Sequence, residues 1–169
     1  MNIENKLVAV NFRMGRSGKK PDVIVVHIQA GSQGGTDAWF RNPASGVSAH
    51  YGVSKHGEVV QWVADENTAY HAGTVKSPSA AIVLERAGKN PNTYTLGIEC
   101  EGQATDDPPE AQMEALADLV HHLAETHKIP LTRRHVIGHR EIRADKTCPG
   151  KIDVDAVVKR ALVLAKGDI

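Results

Sequence analysis

A continuous run of mostly β-branched residues, Val23-Ile24-Val25-Val26-His27-Ile28, restricts what this chain can fold into more than any other stretch. A strand with one wet face alternates apolar and polar residues. A strand apolar at successive positions needs cover on both faces, as in the interior of an α/β sheet. Residues 22–29 are therefore expected to form a buried strand, which carries His27 into the interior. A histidine among valines reads most simply as a core residue with its ring nitrogens satisfied by neighbours. It reads as a metal ligand if further ligands arrive from elsewhere in the chain.

The rest of the chain supplies elements to cover that strand. Residues 37–42 read as a short helix stopped by Pro43. Two strands, about 48–54 and 58–63, are joined by Lys55-His56-Gly57, a hairpin signal. Residues 72–93 are rich in Gly, Pro, Ser and Asn and read as a functional surface loop, with one apolar piece at 80–84. A strand over 94–101 sets Leu96, Ile98 and Cys100 on one side, and Gly97, Glu99 and Glu101 on the other. Asp107 is expected to cap a helix with Pro108 at its first position. Its apolar residues Met113, Leu116, Ala117, Val120, Leu123 and Ala124 form one buried stripe, while His121, His122 and His127 sit on or near its solvated face. A short strand, 136–139, runs into the loop that holds Cys148. A last helix, about 154–166, starts at Asp153 and stops at Gly167. The sum is one mixed α/β domain over residues 1–169, a central mixed β-sheet flanked by helices.

Charge excludes some partners. The chain has 20 basic and 20 acidic residues, so no net field draws it to nucleic acid or an anionic membrane. No apolar run is long enough to span a bilayer. The N-terminus lacks the apolar stretch of a secretory signal, so a cytoplasmic site of synthesis is expected.

Cys148 stands between Thr147 and Pro149-Gly150 in a polar loop, where packing gives little reason for a cysteine. Gly138-His139-Arg140-Glu141 lies just upstream. Imidazole nitrogen and thiolate sulfur are both good Zn²⁺ ligands, and His27, His139 and Cys148 would leave a fourth position open, as catalytic zinc sites do. His135 competes with His139, because both side chains share a face of the strand; proximity to the loop favours His139. The spacing alone is a weak signal, since the chain has no CxxC or HExxH. Another reading pairs Cys100 with Cys148 in a disulfide and leaves the histidines structural. Cys100 on its own reads as a small packed thiol. Trp39 and Trp62 suit sugar stacking, with core packing the simpler use.

Five segments, taken in order, resemble the zinc N-acetylmuramoyl-L-alanine amidases, the type-2 family related to peptidoglycan recognition proteins and phage lysozyme-amidases. They are Ile24-Val25-Val26-His27, Val47-Ser48-Ala49-His50-Tyr51, Tyr70-His71-Ala72-Gly73, Thr95-Leu96-Gly97-Ile98-Glu99-Cys100-Glu101-Gly102, and Gly138-His139-Arg140-Glu141 with Lys146-Thr147-Cys148-Pro149-Gly150. They span about 22–152. The resemblance implies the type-2 amidase fold and one Zn²⁺ per chain held by His27, His139 and Cys148. It assigns the catalytic acid to Glu99 and a helper near the metal to Lys146. The polar face of the strand also carries Glu101, which geometry alone does not exclude; the family pattern favours Glu99. His71 and His50 are expected in the substrate groove, with His50 off the metal. The loop 74–93 is expected to line the peptide cleft, with Arg86 or Lys89 meeting acidic stem peptides.

The implied reaction is hydrolysis of the amide between N-acetylmuramic acid and L-alanine in peptidoglycan. The expected role is that of a monomeric phage or prophage endolysin acting on the wall after release. Ala49 stands where phage enzymes often carry tyrosine, and Cys148 where cytosolic muropeptide-recycling amidases carry aspartate. A recycling amidase is therefore one alternative, and a non-catalytic peptidoglycan-binding protein is a separate one, against which the presence of Cys148 argues.

Overall fold

The computed structural model of the chain describes residues 1–167 and sets the buried run near the middle of a six-stranded sheet. In chain order, β1 (Glu4–Asn5) and β2 (Phe12–Arg13) precede β3 (Val23–Ile28), which is followed by α1 (Gln33–Arg41). Then come β4 (Tyr51–Val53), β5 (Val59–Gln61), β6 (Thr68–Ala69) and a short α2 (Ala81–Glu85). The chain continues through β7 (Thr95–Cys100), α3 (Glu110–His127), β8 (Val136–Gly138) and α4 (Val154–Gly167). The main sheet runs β1-β5-β4-β7-β3-β8, and β2 pairs with β6 apart from it. β4, β7, β3 and β8 are mutually parallel, while β4 and β5 form the expected antiparallel hairpin.

Both faces of β3 are covered, which is why its sequence does not alternate. Ile24 and Val26 join Leu96, Ile98 and Cys100 against the buried stripe of α3 and against Val157 and Ala161 of α4. Val23 and Val25 face the other way, toward Ile82, Val83, Tyr94 and Ile137. His27 continues that second face, and it does so at the carboxyl end of the strand.

Two helix starts differ from the sequence reading. α1 begins at Gln33 rather than Asp37, with Ser32 Oγ accepting from the Gly35 N–H at 3.2 Å; Gly34-Gly35, poor helix formers, hide this start. α3 begins at Glu110, and Asp107 does not cap it. Pro109 keeps Pro108 out of the helical region, because a residue preceding proline is pushed toward extended backbone. Asp107 instead pairs with Lys151 at 2.9 Å. The strands β1, β2 and β6 are two residues long, too short to leave a pattern. The apolar piece at 80–84 is the core of α2, and Asp153 Oδ1 caps α4 by accepting from the Ala156 N–H at 3.0 Å. Among the described residues, no helix is long and apolar enough to cross a membrane.

Candidate metal centre and active site

Three adjacent parallel strands end side by side. His27 of β3 is in register with Glu99 of β7, and Val26 with Gly138 of β8, so His139 follows just beyond. In a parallel pair, residues in register project to the same face. Glu99, His27 and His139 therefore converge although they are far apart in sequence. Cys148 arrives from the loop after β8, and its Sγ accepts from the Ile28 backbone N–H at 3.0 Å. Gly138 makes room for this approach, since a Cβ there would lie 2.8 Å from the Pro149 ring.

The donor atoms of His27, His139 and Cys148 all lie within 4.8 Å of one another. His135, the competing candidate, points away and meets the Asp22 carbonyl at 3.2 Å. Cys100 and Cys148 are both free thiols, so the disulfide reading does not hold. Cys100 is packed in the core on the opposite face of the sheet.

The surroundings keep the ligand groups out of water. Burial lowers the pKa of His27 well below the ordinary imidazole value, and burial also lowers that of His139. Both rings are thus neutral donors at physiological pH. Burial, with the Glu99 carboxylate nearby, pushes the Cys148 thiol up to about 12, although the Ile28 amide favours the thiolate. A cation binding there must displace the thiol proton, so affinity is coupled to pH. Two imidazole nitrogens and one sulfur are a borderline-soft set that suits zinc, and three protein ligands leave an open position.

Glu99 lies beside this triad, its Oε1 3.9 Å from His27 Nδ1. Its Oε2 is buried without a hydrogen-bond partner among the described residues. Burial raises its pKa to about 8. Glu101 is occupied elsewhere: its two oxygens accept from the backbone N–H groups of Gln33 (3.2 Å) and Lys55 (2.8 Å). Geometry thus separates two carboxylates that sequence periodicity leaves equivalent.

The triad and Glu99 open into a cleft of about 910 Å³, whose wall includes Lys146, Arg143, Tyr70 and Trp39. Trp39 is 52% exposed on this rim, contrary to the expectation of core packing, whereas Trp62 is buried and its Nε1 donates to Asp37 at 2.6 Å. His71 lines the cleft, but both of its ring nitrogens are engaged, by His27 at 2.9 Å and Thr95 at 3.0 Å. His50 does not reach the groove. It is fully buried, with Nδ1 accepting from the Gly97 N–H at 3.0 Å and Nε2 against Arg16 at 2.8 Å. The loop expectation also changes. Arg86 is held bidentately by Asp22 and lies with Lys89 around a separate recess, so the basic groups at the cleft are Arg143 and Lys146. Arg16 and Arg143 left no periodic or motif signal that would mark them in advance. His121, His122 and His127 lie away from the site, and His127 meets Asp65 at 2.7 Å.

Comparison with known proteins gives a consistent result. Residues 17–151 match the family described as N-acetylmuramoyl-L-alanine amidase. N-acetylmuramoyl-L-alanine amidase A of Achromobacter lyticus is 34% identical over 91 residues, 53% of this chain and 42% of that protein. The 1,6-anhydro-N-acetylmuramyl-L-alanine amidase AmpD of Escherichia coli K12 is 34% identical over 105 residues, 62% of this chain and 52% of that protein. The matches to these two relatives thus span about half of each one's length. Among solved structures, an AmpD derivative superposes with a TM-score of 0.74 at 24% identity, covering 94% of this chain and 93% of that one. A mutant endolysin from Bacillus subtilis gives 0.70 at 24% identity, covering 95% and 99%. At that identity the two superpositions speak for the fold alone.

Proposed function

The chain belongs to the N-acetylmuramoyl-L-alanine amidase family, and from that premise we propose that it hydrolyses the amide joining N-acetylmuramic acid to L-alanine in peptidoglycan, using one zinc ion. The observation that carries this reading is the convergence of His27, His139 and Cys148 within 4.8 Å, beside a buried and unpartnered carboxylate oxygen of Glu99. A zinc ion held by those three residues supplies Lewis acidity, which makes water a strong nucleophile at neutral pH and polarises a carbonyl.

The chain's own residues do the rest. Glu99, with a pKa of about 8, exchanges protons near neutrality. It takes the proton of the attacking water and delivers it to the alanine nitrogen as the C–N bond breaks. Lys146, on the cleft wall, sets an ammonium near the charge that develops on the carbonyl oxygen. The products are a lactyl carboxylate on the sugar and a free alanine amine. Residues 1–169 act as one catalytic unit in this reading.

Digestion of purified peptidoglycan with and without a chelator tests the proposal. New alanine amino groups that disappear with chelator are the expected result; new reducing sugar ends would instead mean a glycosidase. The role is that of a wall-degrading endolysin, supported by Cys148 at the position where recycling enzymes of this family carry aspartate. Release from intact sacculi in preference to soluble anhydro-muropeptides is expected, and the reverse preference would assign the chain to recycling.

A further inference from the structure

His71 is the one histidine at the cleft whose ring is neither solvent-facing nor part of the triad. Its hydrogen bonds have a direction that can be worked out. The Thr95 hydroxyl lies 2.9 Å from the Pro91 carbonyl oxygen and 3.0 Å from His71 Nε2. A carbonyl only accepts, so the single hydroxyl proton goes to Pro91 and the Thr95 oxygen accepts from His71 Nε2–H. A neutral imidazole has one N–H, which leaves His71 Nδ1 as a bare acceptor. Its partner at 2.9 Å is His27 Nε2. That nitrogen must therefore carry the proton, and His27 Nδ1, the nitrogen nearer Glu99, is left as a lone pair.

The next residue does the same for the second imidazole. His139 Nε2 lies 3.0 Å from the Ala72 carbonyl oxygen, so it too donates and leaves Nδ1 bare. The dipeptide His71-Ala72 is itself clamped, because the Asn92 side-chain oxygen accepts from both of its backbone N–H groups at 3.1 and 2.9 Å.

From this chain of donors and acceptors we infer that His71 is a positioning residue, which with the Ala72 carbonyl selects the Nε2–H tautomer in both His27 and His139 and so presents both Nδ1 atoms to the metal. The inference rests on the reading that these histidines ligate zinc. Thr95 is the terminal lever. Without its hydroxyl, His71 Nε2–H loses its acceptor, the ring is free to reverse its tautomer, and His27 is driven to put a proton on the nitrogen that should bind the metal. Outer partners of this kind typically change metal affinity by about ten- to a hundredfold.

The experiment compares wild type, Thr95→Val, Thr95→Ser and His71→Phe. Zinc affinity is read by competition with a chromophoric chelator, and imidazole tautomers are read by long-range ¹H–¹⁵N correlation of the zinc-free protein. Thr95→Val and His71→Phe should weaken zinc by about ten- to a hundredfold, while Thr95→Ser, which restores the hydroxyl, stays within about threefold. His27 and His139 should both show Nε2–H in the zinc-free wild type. An unchanged affinity in Thr95→Val, or an Nδ1–H tautomer at His27, overturns the positioning role. A wild-type protein that takes up no zinc overturns the metal reading itself, and this inference with it.

Discussion

Glu99 and Glu101 share a face of β7, and only their neighbours divide their roles. Glu99 keeps a carboxylate oxygen without a partner beside the triad, while Glu101 spends both oxygens on the backbone N–H groups of Gln33, at the start of α1, and Lys55, in the turn between β4 and β5. Glu99→Gln should keep one zinc per chain and lower turnover by about 10²–10⁴, the usual span for losing a general acid–base group. Glu101→Gln should leave turnover within about threefold and cost about 1 kcal/mol of stability, the net worth of a hydrogen bond. Steady-state kinetics and urea unfolding on both variants check the pair; equal losses of turnover would contradict the assignment. Gly97 gives a second residue-level test. The His71 ring lies over it, and a Cβ there would stand 2.5 Å from the ring carbon Cγ. Gly97→Ala should destabilise by about 1–3 kcal/mol through overpacking and weaken zinc uptake by displacing His71, both read on one purified variant by urea melts and chelator competition.

The element scale explains how distant residues meet. β7, β3 and β8 are parallel neighbours, and their register sets His27 beside Glu99 and brings His139, just past the end of β8, beside His27. The face of this trio away from the site is covered by helices. α3 packs its stripe on Ile24, Val26 and Leu96, and α4 packs on α3 through Val157 and Ala161. α4 is fastened at its start by Asp153, whose side chain accepts from the Ala156 N–H and whose carbonyl accepts from the Val157 N–H, each at 3.0 Å. Asp153→Ala should cost about 1 kcal/mol, as loss of an N-cap does, with zinc affinity unchanged because the helix lies behind the sheet. A drop in zinc affinity in that variant would mean that α4 strains the site directly.

At the scale of the whole molecule, four buried histidines make the fold acid-sensitive. Burial lowers the pKa of His27, His50, His71 and His139, with His50 at about 3. In the unfolded chain these rings take up protons near pH 6.5, and in the folded chain they resist until lower pH. The unfolded state therefore binds more protons below about pH 6.5, so stability falls as the solution is acidified, by up to about 1.4 kcal/mol per pH unit for each ring. Glu99 opposes this with one proton, because its pKa is raised rather than lowered, to about 8. The histidines outnumber it. The denaturation midpoint of the zinc-free protein should drop clearly between about pH 7 and about pH 5; a level midpoint would mean that the rings are not held neutral in the fold.

Much of the candidate site is legible in the sequence. Val23–Ile28 announced a strand covered on both faces because burial on both sides removes alternation, and the Cys148 loop stood out because packing had no use for a thiol there. The carboxyl-terminal halves of β3 and β7 already carried His27 and Glu99, and the family pattern joined them to His139. What the sequence left open was whatever depends on a neighbour brought in from far along the chain. Trp39 and Trp62 are chemically alike, yet one is exposed on the cleft and the other is buried in the core. His50 and His71 sit in equally strong motifs, yet one is sealed against Arg16 and the other touches His27. The sequence by itself determined the covered strand, the donor types and the chemistry they permit, because side-chain chemistry and local periodicity are properties of residues close in the chain. The tertiary structure alone decided which carboxylate, which histidine and which ring nitrogen are available, because hydrogen-bond partners and exclusion from water are supplied by segments tens of residues away.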